Sequence, residues 1–406
     1  MRAILPLLLA IFLGLTACSP APAPAAGTAP LPTCARTSTP APAPAKETTA
    51  KEGWRMIATL ADNTTLNDVV ALEDGTVWVV GTKSLPPEPH CPTAVGVVWR
   101  NDGTTWQEIP APACAETLTQ VTASPEGTVW VTGKNEGKPV IGGFVTEPPC
   151  MARWNGGDGA AGKWAETKLE GEPGTAAATA GDELWLLTRL EQQERSVLTQ
   201  WTAGRPSIRK LEMEPAAVAA GGDGEVWVAG TRPGAEEDHS AKRWAPRLAR
   251  WDGVRWHDLP SPQIPLPRIP YADQYEPQPS LSISDLAVLG PREVWVAGQL
   301  VWCGQDCDDF HVQPLLMRWN GSGWSWRFGA AEDEPQGREL VPDGRGGLWL
   351  NNWPARRLTH VSGRQRTTLR LPADLAAIAR QPDSTTVWGV GTDDGLAVVW
   401  TTGRDT

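Results

Sequence analysis

Cys303-Gly304-Gln305-Asp306-Cys307-Asp308-Asp309-Phe310-His311 is the densest cluster of ligand-type side chains in this 406-residue chain. A metal ion held there would take the two thiolates and the His311 imidazole, with carboxylates closing the shell. Three residues rather than two separate the cysteines, and an exported chain would meet an oxidising space, so a small disulfide loop with an acidic skirt is the expectation instead. No metal and no cofactor is expected. His90, His239 and His311 each stand alone among polar and proline residues. A general base needs an orienting partner and a nucleophile, and no serine or cysteine lies in a recognisable elbow beside them, so no catalytic residue is assigned. Glu236-Glu237-Asp238-His239 reads as a solvated acidic loop, and His257 and His360 fall in strands as structural residues. Carboxylates paired across the fold for glycoside chemistry would leave no mark in a linear sequence.

What must position these groups is a repeat. Trp78, Trp130, Trp185, Trp227, Trp295, Trp349 and Trp388 each close a short apolar run, and the motif returns roughly every 40 to 55 residues. In the first unit Asn67 to Leu72 reads as a strand, Glu73-Asp74-Gly75 as a tight turn, and Thr76 to Gly81 as a second strand rich in β-branched residues. Val95 to Arg100 is the third and Trp106 to Pro110 the fourth, joined by Asn101-Asp102-Gly103, which supplies the positive φ of a hairpin turn. Arg153-Trp154-Asn155-Gly156 with Trp164, Arg250-Trp251-Asp252-Gly253 with Trp256, and Arg318-Trp319-Asn320-Gly321 with Trp324 mark the same third and fourth strands later on. Blades three, six and seven are more degenerate: Trp201 is followed by Thr202-Ala203-Gly204, and Leu358 is expected at the third-strand tryptophan position of blade six. This four-stranded antiparallel unit in seven copies resembles the blade of a seven-bladed β-propeller. The resemblance implies an all-β ring over 53–406. Its last unit stops one strand short, and Gly53 to Leu60 fits the vacancy, so the N-terminal strand is expected to complete the last blade and remove the open edges.

The turns joining strands one to two and three to four share one face of such a disc and are uniformly tight here. The long insertions, Lys83 to Thr93, Lys134 to Pro149, Arg232 to Pro246 and Leu300 to Pro314, fall on the other face with the connection Ser261 to Ser282. Elaboration of one side favours function there. The candidate binding-face residues are His90, His239, Tyr271, Tyr275, Trp302 and His311. Trp302, Trp326 and Trp353 lie outside the repeat positions and would mark contact surfaces if solvent-facing. Six cysteines remain after Cys18, an even number that favours disulfides pinning these loops. Cys303 with Cys307 is the first pairing expected, then Cys91 with Cys114. Cys114 with Cys150 is the alternative, which would tie adjacent blades.

Arg2, an apolar run from Ile4 to Leu15, and Leu15-Thr16-Ala17-Cys18 open the chain. They resemble the bacterial lipoprotein signal, which implies a signal peptide over 1–17, cleavage before Cys18 and acylation of that cysteine. In that family an aspartate after the cysteine retains the protein in the inner membrane. Ser19 implies the outer membrane of a diderm envelope, facing the periplasm or the surface. Pro, Ala and Thr dominate the stretch after Cys18, so 18–52 reads as a disordered tether. A net charge of -11 argues against nucleic acid or an anionic membrane as partner, since both reward a basic face. Membrane contact is expected only through the lipid.

Three further resemblances bear on function. Asp343-Gly344-Arg345-Gly346-Gly347-Leu348-Trp349-Leu350 is similar to the repeats of two-component-regulator sensor propellers, which are periplasmic ligand-sensing modules. The Asp-Gly-x-Val-Trp core is similar to streptogramin lyase, but Val79, Val131, Val228 and Leu350 stand where that family has an acidic residue. Asn101 to Trp106 resembles the sialidase Asp-box, with Asn101 in place of its aspartate. No catalytic residue carries over from either family. The expectation is a monomeric, lipid-anchored binding module taking a protein, peptide or glycan on its loop face. A hydrolase or lyase at the channel mouth and a scaffold subunit of an envelope assembly are the alternatives.

Overall fold

The computed structural model describes residues 43–49, 54–86, 93–135, 138–140, 143–145, 147–156, 162–178, 183–190, 195–221, 224–231, 246–262, 264–265, 280–303, 310–329, 337–353, 356–371 and 373–402. The chain divides into units of residues 1–37 and 38–406, and the first lies wholly outside the described residues. In the second, seven antiparallel sheets each present four strands in ring order. The innermost strands are Thr64–Ala71, Thr117–Ala123, Glu172–Ala178, Glu214–Ala220, Ser280–Gly290, Gly337–Pro342 and Asp374–Arg380. This is a seven-bladed β-propeller. Trp54–Asp62 pairs with Leu396–Thr402 as the outer strand of blade seven, so the N-terminal strand closes the ring as expected. Ala43–Thr49, read from sequence as tether, adds a fifth strand outside Trp54–Asp62. Cys18 and the segment 1–42 lie outside the described residues.

The repeated tryptophans pack between blades. Trp78, Trp130, Trp185, Trp227 and Trp388 are buried, while Trp295 and Trp349 are half-buried. Trp78 meets Trp154 and Trp164 of blade two at 5.6 and 6.3 Å, and Trp185 meets Trp251 and Trp256 of blade four at 5.8 and 5.7 Å. Edge-on and tilted contacts of this kind suit the aromatic quadrupole and add to the burial of large apolar area. At these two seams a second-strand indole is clasped by an indole pair from the following blade. Trp164 and Trp324 also donate Nε1–H to the carbonyls of Pro110 and Pro260 in the preceding blade, at 2.7 and 2.6 Å.

A glycine follows most of these tryptophans by three positions, and the backbone explains it. The inner strand bulges between Leu66 and Asp68, Leu118 and Gln120, Pro215 and Ala217, Ile283 and Asp285, and Leu375 and Ala377. Opposite each bulge sits Gly81, Gly133, Gly230, Gly298 or Gly391. A Cβ on Gly230 would lie 2.0 Å from the Glu214 carbonyl oxygen, a contact only backbone movement could relieve. Gly230→Ala is therefore expected to cost about 2 kcal/mol or more, measured by urea denaturation. Gly253→Ala serves as the comparison, because nothing crowds that position and its cost comes from φ alone.

Register corrects one sequence expectation. Trp154, Trp251 and Trp319 each follow the residue paired with the second-strand tryptophan, and in blade six His360 holds that pairing with Trp349. The missing indole is therefore at Val361, and Leu358 is an ordinary buried residue three places earlier.

Candidate functional site

An inner propeller strand pairs on one side only, so its other edge offers N–H groups to the central channel. Left alone in a buried site each would cost about 1 to 3 kcal/mol. One position supplies the acceptors: ten residues ahead of the repeated tryptophan stand Asp68, Gln120, Thr175, Ala217, Asp285 and Glu339, and Ala377 takes the place in blade seven, eleven residues ahead. Asp68 Oδ2 accepts the N–H of Val121 in blade two at 2.8 Å, and Thr175 Oγ1 accepts Val218 in blade four at 3.2 Å. Asp285 Oδ2 accepts Leu340 in blade six at 2.6 Å, and Glu339 Oε2 accepts Ile378 in blade seven at 2.9 Å. Where the preceding blade offers only Ala377 or Ala217, the following aspartate also serves its own blade. Asp68 Oδ1 accepts Val69 at 2.8 Å and Asp285 Oδ1 accepts Leu286 at 2.7 Å.

The bulges turn neighbouring polar residues inward beside this ring. Asn67, Asp68, Gln120, Thr175, Ser284, Asp285, Glu339 and Asn351 line a cavity of about 430 Å³. Burial pushes Asp68 and Asp285 up to about 7, against the lowering effect of their backbone hydrogen bonds. Glu339 is pushed well above the ordinary glutamate range by burial first, then by Asp68 and Asp285. Carboxyls near neutrality are suited to proton transfer, and three in one cavity would ordinarily suggest it. Here both oxygens of each aspartate already accept backbone N–H groups, and Glu339 Oε2 also takes Asn351 Nδ2 at 3.3 Å. Among the described residues no three histidine, cysteine, aspartate or glutamate side chains are grouped to hold a metal ion.

A larger cavity, about 820 Å³, opens at the tight-turn ends of blades five to seven. Arg380 is the cation on its wall, and it braces the local turn by donating to the carbonyls of Gln381 and Ser384 at 3.4 and 3.0 Å. Nearby, Asp343 accepts the N–H groups of Arg345 and Gly347 at 2.7 and 2.8 Å and meets His360 Nε2 at 2.8 Å. His360 stacks on Trp349 with centroids 4.3 Å apart, and His257 meets Asp252 in another turn. Both histidines are structural, as read from sequence.

Of the sequence candidates, Cys18, His90, Cys91, His239, Tyr271, Tyr275 and Cys307 lie outside the described residues. Trp302, Cys303 and His311, read as loop residues, instead extend the second and third strands of blade five, with Trp302 opposite His311 and Cys303 opposite Phe310. Cys114 pairs with Cys150, their Cα atoms 6.0 Å apart. This is the alternative disulfide, and it displaces the Cys91–Cys114 pairing. Proximity explains it: Cys150 begins the third strand of blade two opposite Gly133, and Asn135, just beyond, donates Nδ2–H to the Cys114 carbonyl at 3.1 Å. Asp68, Asp285 and Glu339, outside the sequence candidates, carry one mark in the sequence, an acid ten places before the repeated tryptophan in three repeats.

No protein-family model and no curated protein matches the chain. Solved structures do match in fold. A polysaccharide lyase of family PL25, an ulvan lyase bound to a sulfated glucuronate-rhamnose oligosaccharide, has a TM-score of 0.50 at 11% identity, covering 85% of this chain and 95% of its own. YCF48 bound to D1 peptide has a TM-score of 0.46 at 13% identity, covering 91% and 100%. The extracellular domain of the putative hybrid two-component system BT4673 from B. thetaiotaomicron has a TM-score of 0.49 at 12% identity, covering 85% of this chain and 38% of its own. At these identities the likeness is one of fold.

Proposed function

We propose that this propeller is a lipid-anchored envelope module that binds a protein, peptide or glycan on the face bearing its long insertions and performs no chemistry. The observation that carries the reading is the occupancy of the channel carboxyls. Asp68 and Asp285 hold backbone N–H groups of successive blades, so their role is to fasten the ring. An acid that must keep two hydrogen bonds to hold neighbouring strands is poorly placed to exchange a proton with a substrate. A shared fold does not assign a function, so function rests on the site and its loops.

The test is chemical crosslinking and pull-down from intact cells, comparing wild type with a variant whose 261–282 connection is shortened. Loss of a specific partner is the expected result, and an unchanged set of partners would overturn the loop-face reading. The raised carboxyls favour one second reading, a hydrolase or lyase at the channel mouth. That reading requires Asp285→Asn to abolish turnover of some oligosaccharide at neutral pH while the protein stays folded.

A further inference from the structure

The paired positions of the third and fourth strands hold at least one indole in every blade but six: Trp106 with Asn101 in blade one, Trp201 with Pro206 in blade three and Trp54 with Thr402 in blade seven carry one each. In blades two, four and five the third and fourth strands present cross-strand tryptophan pairs, Trp154 with Trp164, Trp251 with Trp256, and Trp319 with Trp324. In blade six the same paired positions are Val361 and Arg366. Trp295 of blade five therefore meets no indole from the third and fourth strands of blade six and stays half-buried, whereas Trp78, Trp185 and Trp227, which face full pairs, are 3%, 0% and 2% exposed. The space left is a slot of about 160 Å³ between blades five and six, floored by Trp295 and Leu316 and flanked by Arg318, Arg327, Arg364 and Arg366. Trp326 stands at its rim, 37% exposed.

Charge at this slot runs against the rest of the molecule. The chain carries -11 overall, yet four guanidinium groups converge here. Arg318 is paired with Glu293 at 2.8 Å and lies over the Trp295 ring at 5.4 Å, as Arg250 lies over Trp227. No carboxylate among the described residues pairs with Arg327, Arg364 or Arg366. Arg366 is held below its ordinary range by burial and by the like charge of Arg327. Three of these like charges have no carboxylate beside them among the described residues, so they cost energy that an incoming anion would recover, and the guanidinium fork suits carboxylate oxygens.

We propose that this slot docks an acidic segment of a partner protein that carries an aromatic side chain. The ring enters the space that an indole pair fills in other seams and packs against Trp295. Flanking carboxylates reach Arg327, Arg364 and Arg366, with Trp326 covering the entry. The slot opens beside the Ser362 to Gln365 turn, so this contact is separate from the insertion-bearing face.

The test uses the folded propeller and a dye-labelled, blocked peptide in which a single phenylalanine is flanked by aspartates, followed by fluorescence anisotropy. Saturable binding is expected, weakened at least tenfold by Arg366→Gln and by Arg327→Gln. Arg366→Trp, which rebuilds half of the missing pair, should abolish binding while leaving the protein folded by circular dichroism. Peptides with lysines for the aspartates, or alanine for the phenylalanine, should not bind. Absence of saturable binding to wild type, or equal affinity for the lysine peptide, would overturn the proposal. So would binding unaffected by both glutamine variants, or a dimer of this chain that Arg366→Trp dissociates, since the occupant would then be a second copy.

Discussion

Replacing Asp285 with alanine is expected to destabilise the propeller by about 2 to 4 kcal/mol at pH 5, because it leaves the N–H groups of Leu286 and Leu340 without acceptors. The penalty should shrink as pH rises. Asp285 and Asp68 titrate near 7 in the folded chain and near 3.8 as ordinary aspartates. A carboxyl whose folded value is raised contributes stability that is fully present below its unfolded value and is lost as pH climbs through the folded one. Wild type should therefore lose stability between about pH 4 and pH 7, the unfolded and folded values, by at most about 1.4 kcal/mol per pH unit for each of these carboxyls, and level off above. Asp285→Ala removes one such proton and flattens the slope. Asp285→Asn keeps one acceptor of two and should fall between. Denaturant midpoints at several pH values measure all three, and a wild-type midpoint that rises steadily from about pH 4 to 7 would refute the assignment.

Removing the Cys114–Cys150 disulfide, as Cys114→Ser with Cys150→Ser, should cost about 4 kcal/mol by the loop-closure estimate for its 36-residue separation. Cys150 is buried in the core shared by blades one and two, so a serine there adds a polar group to apolar surroundings. Cys150→Ala with Cys114→Ala separates the cross-link from that penalty. Thermal melts of both double variants, beside reduced wild type, give the two contributions. A melt of the alanine variant that overlays oxidised wild type would show that the disulfide adds nothing.

The ring was legible in sequence because its tryptophans recur and its hairpin turns announce themselves, and so was closure by Trp54–Asp62, since the last unit lacked a strand. The bulges were not legible. Gly81, Gly230 and Gly391 marked them, but a glycine three places after a tryptophan says only that something comes close, not that the neighbouring strand carries an extra residue. Without the bulge, Asp68 and Asp285 look like ordinary strand residues rather than acceptors for the next blade. The loop candidates His90, His239, Tyr271 and Tyr275 were legible as chemistry without position, because long insertions have no register to place them. Cys114 shows the remaining difficulty: spacing allowed two partners, and only the fold, which sets Cys150 beside it, could choose.

The doubled edge of blade seven bears on how the ring takes a load. Ala43–Thr49 folds back along Trp54–Asp62, with Ala43 opposite Thr59 and Thr49 opposite Arg55. A pull on the chain ahead of Ala43 would peel that outer strand first, one pair of hydrogen bonds at a time. The ladder from Trp54 opposite Thr402 to Asp62 opposite Leu396, which keeps the circle shut, would feel the force only afterwards. Such a pull would thus load the extra strand before the ladder that closes the ring.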